Sequence, residues 1–460
     1  MKTQQLILIL FFGLALYTGC QNEETKHNIL FISIDDLKPS INSYGDSKMI
    51  TPNIDKLASE GVQFNNAFTN IAVCGASRAS LMTGIRPSEK RFNDFSTRAA
   101  KDVPDAISLN ELFKNNGYET ISYGKIYHHN DDFGEHWTEI GERAEQADFQ
   151  DPKAIEMRDN AERGEYGKKN PIIEYPEVSD YAYHDGKITI KAIEKLKEMK
   201  ENKKPFFLAI GYVSPHLPFI QPKKYWDMYD KDEIPMPEFE QDPEEAPIFS
   251  VKRRGEIEQF SPVPENGEPF GEDLKRNLIH GYYASVTYMD AQLGRVIDEL
   301  DRLDILDNTI IVLWGDHGWH LGDHKSWTKH SNFEQANRIP LIFVSKDTIK
   351  AGVSSKQLAE TVDVYPTVAA LAGLASPTGP QPIDGLNLMP VLKDPDVRVK
   401  DHAYHAFPRG SLIGSAIRTE RYRMVEWKNP NDAKSEKIYE LYDYEEDPLE
   451  TKNYAKSKGT

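Results

Sequence analysis

The sequence predicts an α/β fold, a large central sheet with helices on both faces. Three observations predict it. Apolar runs of four to eight residues alternate with helix-like stretches through the first three quarters of the chain. Polar residues follow those runs, as they do where a strand ends at a ligand-binding edge. Past about residue 396 the pattern changes to alternating strands, which suggests a small antiparallel C-terminal subdomain.

Residues 1–20 have one cation (Lys2), an apolar core over 6–16 and the small residues Thr18-Gly19 before Cys20. This reads as a signal peptide, because the apolar core is short of the ~20 residues a spanning helix needs. Cys20 resembles the lipid-modified cysteine of bacterial lipoproteins, although Tyr17 departs from the aliphatic residue usual there, so ordinary cleavage is the alternative. Either way the chain is expected to be exported, as a periplasmic, cell-surface or secreted protein, with a membrane attachment only through Cys20. Buried strands are expected at 29–34, 119–123, 205–213, 309–314 and 340–344. Thr51-Pro52 opens a helix that Gly61 closes, with proline at the first helical position. Ser108-Leu109-Asn110-Glu111 reads as a capping box. Long helices are expected over 274–303 and 362–374, and a short one over 78–82. The acidic, proline-rich stretch 230–272 lacks periodicity and reads as a long excursion near the active site or over a domain edge; a solvated insert without a role is the alternative. Strands are expected at 416–427 and 437–442. The organisation that follows is a signal at 1–20, a catalytic domain at 27–395 and a C-terminal subdomain at 396–460.

Composition narrows the function. A net charge of −18 argues against nucleic acid or an anionic membrane surface as partner, because both need a basic footprint. The two cysteines are Cys20 and Cys74. Once Cys20 is assigned to the export signal, Cys74 is a lone thiol in an exported chain, which points to a reactive or modified side chain.

The strand ends supply the candidate chemistry. Asp35-Asp36 follows the first strand, Gly124-Lys125 and His128 the second, Pro215-His216 the third and Asp316-His317 the fourth. Any one has an ordinary explanation, since an Asp after a strand is usually a helix cap and a lone His usually a satisfied core residue. Four together predict one crevice. Asp35, Asp36 and Asp316, with His317 as a further polar contact, suit a divalent cation such as Ca²⁺ or Mg²⁺. Lys125 and Lys329 have no acidic partner nearby in sequence and suit sulfate or phosphate oxygens.

Cys74-Gly75-Ala76-Ser77-Arg78, followed by Leu81-Met82-Thr83-Gly84, resembles the motif of the formylglycine-dependent (type I) sulfatases. The resemblance extends to Asp35-Asp36-Leu37-Lys38-Pro39, Thr51-Pro52-Asn53-Ile54-Asp55-Lys56-Leu57, Pro215-His216-Leu217-Pro218-Phe219, Tyr288-Met289-Asp290, Asp316-His317-Gly318-Trp319 and Trp327-Thr328-Lys329-His330. In order and spacing these are similar to the iduronate-2-sulfatase branch, over nearly the whole chain after the signal.

The resemblance implies an alkaline-phosphatase/sulfatase-like sandwich, with a mixed central sheet flanked by helices and a small C-terminal α+β subdomain. It implies that Cys74 is oxidised to formylglycine by a formylglycine-generating or equivalent maturase. The hydrated aldehyde is then an oxygen nucleophile whose sulfate adduct collapses without a second attack by water. By the same carry-over Asp35, Asp36, Asp316, His317 and residue 74 itself would hold one divalent ion, expected to be Ca²⁺. Arg78 would hold the diol and steady the carboxylates, Lys125 and Lys329 would bind sulfate oxygens, and His128, preferred over His129, would contact the diol. His216 would protonate the leaving sugar oxygen. Trp319 and His324 would line the pocket; His320 and His324 with His317 as a second metal cluster is the weaker reading.

Departures from the family pattern bear on maturation and substrate. Ala76 replaces the commoner proline of the motif, and Val213-Ser214 replace a polar, basic pair before Pro-His. The implied partner is a sulfated glycan, attacked from its end, with a 2-O-sulfated uronic acid or an algal polysaccharide fragment as substrate. Arg418, Arg421 or Arg423 is expected to help bind the sugar. Two alternatives stand beside this reading. A phosphoric or phosphonic ester hydrolase of the same superfold is disfavoured, because lysines occupy the region where a second metal's ligands would lie. A non-catalytic glycan-binding relative would have lost a ligand, and none is lost.

Overall fold

In a computed structural model the described residues are 26–141, 143, 147–162, 169–252, 254–264, 267–346, 348–379 and 381–456. The signal segment and Cys20 lie outside them. No helix among the described residues is long and apolar enough to cross a membrane.

The central sheet contains strands β1 (Asn28–Ile34), β2 (Val62–Phe68), β3 (Glu119–Gly124), β4 (Phe206–Tyr212), β5 (Thr309–Gly315), β6 (Leu341–Val344) and β7 (Val353–Glu360). Its order is β7-β2-β6-β5-β1-β4-β3, closed at the β3 edge by the short strand Glu139–Ile140. β5, β1, β4 and β3 run parallel, β6 is antiparallel to β5 and β2, and β7 is parallel to β2.

Both faces of the parallel strands are buried, which explains their unbroken apolar runs. Side chains alternate across the sheet. Ile29, Phe31, Ile310, Val312 and Trp314 join one core, and Leu30, Ile32, Ile34, Ile311 and Leu313 the other. Helices α1 (Pro52–Glu60), α2 (Cys74–Thr83), α3 (Leu109–Asn115), α4 (His184–Asn202), α5 (Glu272–Arg302) and α6 (Thr361–Leu371) divide between the faces. The first core takes Leu81, Phe113 and Val368 from α2, α3 and α6, and the second takes Leu57, Leu196 and Val296 from α1, α4 and α5.

Several elements follow their sequence signals. Ser108 accepts from the Glu111 amide and starts α3, and Pro52 begins α1. Other expectations are corrected. The helix expected at 78–82 begins at Cys74, so residue 74 is its first residue rather than a residue before it. β2 and β7 have no strand signal because polar side chains interrupt them, yet those side chains are satisfied within the fold. Gln63 donates to the Ser43 carbonyl, and Asn66 to the Lys356 carbonyl.

After the central sheet the chain forms a four-stranded antiparallel sheet, β8 (Ala403–Arg409), β9 (Leu412–Arg418), β10 (Tyr422–Lys428) and β11 (Ile438–Asp443), in sequential order. The run 416–427, expected as one strand, is a hairpin. Thr419 turns it, its amide donating to the Tyr422 carbonyl while its hydroxyl accepts from the Tyr422 amide.

Candidate active site

The carboxyl ends of four parallel strands meet at one point because their backbone ladder runs past the strands. The Asp35 amide donates to the Tyr212 carbonyl (3.2 Å), Lys125 to Gly211 (2.9 Å) and Asp316 to Ile34 (3.2 Å). Two glycines permit the approach of β3 to β4. A Cβ on Gly211 would lie 2.2 Å from the Lys125 carbonyl oxygen, and one on Gly124, whose φ is +75°, would lie 2.2 Å from the Gly211 carbonyl oxygen.

Asp36 has φ 59°, a left-handed conformation that costs a non-glycine residue on the order of 1 kcal/mol or more. It is held there by its amide, which donates to Asp316 Oδ1 (3.1 Å), and by its carbonyl, which accepts from the Tyr282 hydroxyl (2.9 Å). The bend brings adjacent carboxylates into one pocket. Ligand atoms of Asp35, Asp36, Cys74 and His317 lie within 4.8 Å of one another, all buried.

Cys74 lies at the N-terminus of α2, where unpaired amides and the helix dipole favour negative charge. Its Sγ stands where an oxygen of formylglycine would be. His317 Nε2 is 3.1 Å from it. Burial opposes ionisation of the thiol, but Lys125 and Lys329 outweigh burial and pull it down to about 5. The pocket is therefore built to hold an anion at the tip of side chain 74.

Around this point the ion pairs form a connected set. Arg78 Nε donates to Asp316 Oδ2 (2.9 Å), its Nη1 to Ser33 (2.8 Å), and its Nη2 to Asp35 Oδ1 (3.3 Å), all fully buried. Lys125 Nζ pairs with Asp35 Oδ2. Lys329 Nζ lies 3.0 Å from Asp36 Oδ1 and 3.2 Å from Glu256 Oε2, over the Trp319 ring. His216 Nε2 lies 3.2 Å from Glu256 Oε1 and 3.9 Å from Asp36 Oδ2, and its Nδ1 is 2.7 Å from the Leu217 carbonyl oxygen. Burial opposes the His216 cation, but Glu256, Asp36 and Asp35 together hold its affinity for the proton well above the usual histidine range. His128 is the opposite case, pushed down to about 2 by burial and by Lys125 and Arg143, and therefore neutral.

The donor set fits a hard divalent cation. Burial raises Asp36 against the pull of Lys329, His216 and His317, while Lys125, His216 and Arg78 overcome burial and hold Asp35 well below the carboxylate range. Asp316 uses Oδ1 for the amides of Asp36 and His317 and turns Oδ2 to Arg78, 3.7 Å from His317 Nε2. Oxygen ligands of this kind suit Ca²⁺ or Mg²⁺.

The sequence profile of the sulfatase family matches residues 27–374. The chain belongs to the sulfatases. A second profile, the C-terminal region of N-sulphoglucosamine sulphohydrolase, matches residues 322–460. The sulfatase is 32% identical to mouse (Mus musculus) iduronate 2-sulfatase over 97% of this chain and 94% of that one. It is 30% identical to a sulfatase of Formosa agariphila over 99% and 89%, respectively. Among solved structures it is similar to a protein in complex with its substrate D-glucosamine-2-N,6-O-disulfate (24% identity, TM-score 0.73, 94% and 95% of the two chains). It is also similar to the phosphonate monoester hydrolase of Agrobacterium radiobacter (20% identity, TM-score 0.75, 94% and 92%). The last two show the shared fold, so the fold does not separate sulfur from phosphorus chemistry; the family match does.

Some residues fall outside the expected pattern. Arg418 pairs with Glu334 and stacks on Tyr444, Arg423 is buried against Glu450, and Arg421 pairs with Asp443 and Glu445. All three have their charge taken up by carboxylates of the protein, Arg418 tying the sheet to Glu334 outside it, in place of the expected contact with the sugar. His324 holds the Leu449 carbonyl and stacks on Phe333 rather than lining the pocket, and His320 contacts Ser331. Neither belongs to the metal-capable group found among the described residues, and the expected ligand Asp316 also falls outside it, its oxygens engaged by the Asp36 and His317 amides and by Arg78. Glu256 is the main residue missed by sequence reasoning. It comes from the aperiodic stretch 230–272, which therefore reaches the site instead of being a solvated insert; no local motif marks it.

Proposed function

We propose that the sulfatase is exported and removes sulfate esters from the end of a sulfated glycan, with a 2-O-sulfated uronic acid or a marine polysaccharide fragment as substrate. The observation that carries this reading is the anion-holding pocket around residue 74, with a protonated histidine at its edge. Cys74, converted to formylglycine by a maturase, would supply an oxygen nucleophile at that place. A divalent ion such as Ca²⁺, held by Asp35, Asp36, Asp316, His317 and residue 74, would supply Lewis-acid polarisation.

The remaining work belongs to the chain. Lys125 and Lys329 neutralise the sulfate oxygens, and Arg78 fixes Asp35 and Asp316 in place. His128, neutral, accepts or donates a hydrogen bond at the diol. His216, kept protonated by Glu256, gives its Nε2 proton to the departing sugar oxygen. A cavity of about 400 Å³ beside His216 and Glu256, reaching Lys125 and Val213, has room for a sugar unit. One fold neighbour is described as a 2-O glycosaminoglycan (GAG) sulfatase, and one relative is named an ulvan-active sulfatase. Both are consistent with a glycan substrate here. Export rests on the signal-like residues 1–20, and any lipid anchor on Cys20.

The test is the mass of the peptide containing residue 74 in protein from its native host, together with inorganic sulfate release from an aryl sulfate. Aldehyde at residue 74 and sulfate release lost in Cys74→Ala are the expected results. An unmodified thiol in an otherwise active protein would overturn the nucleophile assignment.

A further inference from the structure

Two cations beside the catalytic lysine have no ion-pair partner among the described residues. Lys252, from the excursion, lies 3.4 Å from His330 Nδ1, and Arg409, at the end of β8, donates from Nη2 to the His330 carbonyl at 2.7 Å. Both therefore close on the residue that follows Lys329. Arg409 lies over the Phe407 ring, and its Nε is buried without a hydrogen bond. Among the described residues no carboxylate forms an ion pair with either. The nearby acids are engaged elsewhere, Glu256 with His216 and Lys329 and Glu258 with Arg254 at 4.0 Å.

The rest of the C-terminal sheet differs in this respect. Arg418, Arg421, Arg423, Lys428 and Lys437 all have carboxylate partners. Burial alone lowers Arg409 to about 10, and burial with Arg409 and Lys329 nearby lowers Lys252 against the weaker pull of Glu258 and Glu256. Half-buried like charges left together in a chain of net charge −18 are unfavourable unless an anion joins them.

We propose that Lys252 and Arg409 form a second anion subsite, which takes a carboxylate or a second sulfate on the same substrate whose scissile sulfate lies at Lys125 and Lys329. The inference rests on the glycan-sulfatase reading and sharpens it. The substrate is a sugar with at least two anionic groups. Neither cation lines the cavity beside His216, so the subsite is a separate contact.

The test compares kcat/KM for a sulfated uronate-containing disaccharide, its carboxyl-reduced counterpart, a neutral sugar disulfate and an aryl sulfate, in the unaltered protein and in Lys252→Gln, Arg409→Gln and Arg409→Lys. Each glutamine variant is expected to lower the ratio of doubly anionic to singly anionic substrate at least tenfold, mainly through KM, with Arg409→Lys recovering part of it. Preference lost on carboxyl reduction identifies a carboxylate, and preference kept by the neutral disulfate identifies a second sulfate. An unchanged ratio in both Lys252→Gln and Arg409→Gln overturns the proposal. Binding of the same sugars to Cys74→Ala, with and without Lys252→Gln, reads the contrast without turnover. A failure of the sulfatase reading, seen as no sulfate release from aryl sulfate, is thereby separated from a failure of the subsite.

Discussion

At the scale of single residues, the site depends on charges placed to oppose burial. His216 is the clearest case, since only Glu256 and the two aspartates keep it protonated in a buried setting. Glu256→Gln is therefore expected to reduce kcat about 10²-fold for sugar sulfates, whose alkoxide leaving group needs the proton. The effect should be less than tenfold for 4-nitrophenyl sulfate, whose leaving group does not. Steady-state kinetics on the two substrates checks this, and an equal loss on both would show that Glu256 acts on the sulfate end instead. The strand-end residues Asp35, Asp36, Lys125, His216 and Asp316 are legible in the sequence because each lies within a few residues of the end of an apolar run. Glu256, Lys252 and Arg409 are not legible, because they reach the site through tertiary packing of aperiodic or exposed segments that have no local pattern.

At the scale of elements, close backbone approach positions the chemistry. Gly211→Ala would place a methyl group 2.2 Å from the Lys125 carbonyl oxygen, and neither partner is a flexible side-chain end. Stability is expected to fall by about 3 kcal/mol, with Lys125 displaced and activity lost beyond the loss of folded protein. Urea unfolding, read alongside activity per folded molecule, measures both.

The N-terminus of α6 gives a pH prediction. Glu360 is buried, yet hydrogen bonds and charge from Arg86 and Lys400 outweigh burial and lower it to about 2 from an ordinary 4.5. A depressed carboxyl stabilises the fold above its unfolded value and loses that contribution as pH falls toward 2. Unfolding free energy should therefore decline from pH 5 to pH 3. Glu360→Gln should be less stable at pH 7 and show a flatter profile, and an unchanged slope would contradict the assignment. Helices are the more legible elements, since Pro52, Ser108 and the periodicity of 274–303 mark them. β2 and β7 are hidden because Gln63, Asn66 and Gln357 satisfy their polar groups only within the assembled fold, on the carbonyls of Ser43, Lys356 and Lys400.

At the scale of the molecule, an acidic chain places Lys125, Lys329 and His216 at the site itself, so an anionic substrate meets positive charge where the chemistry is expected. The buried carboxylates beneath them are expected to need their cation. Chelation should abolish sulfate release and lower the melting temperature, with Ca²⁺ restoring both. A site saturated a hundredfold above its dissociation constant contributes about 3 kcal/mol. Calorimetry with and without chelator checks this. The overall architecture is legible because both faces of the parallel strands are buried, which leaves an unbroken apolar signature in β1, β4 and β5. The measurement that bears most directly on the proposed chemistry is sulfate release from defined sulfated oligosaccharides by maturated protein, with Cys74→Ala as control. Release from a doubly anionic terminal sugar, absent in Cys74→Ala, is the predicted result; turnover of aryl sulfate with no oligosaccharide desulfated would contradict it.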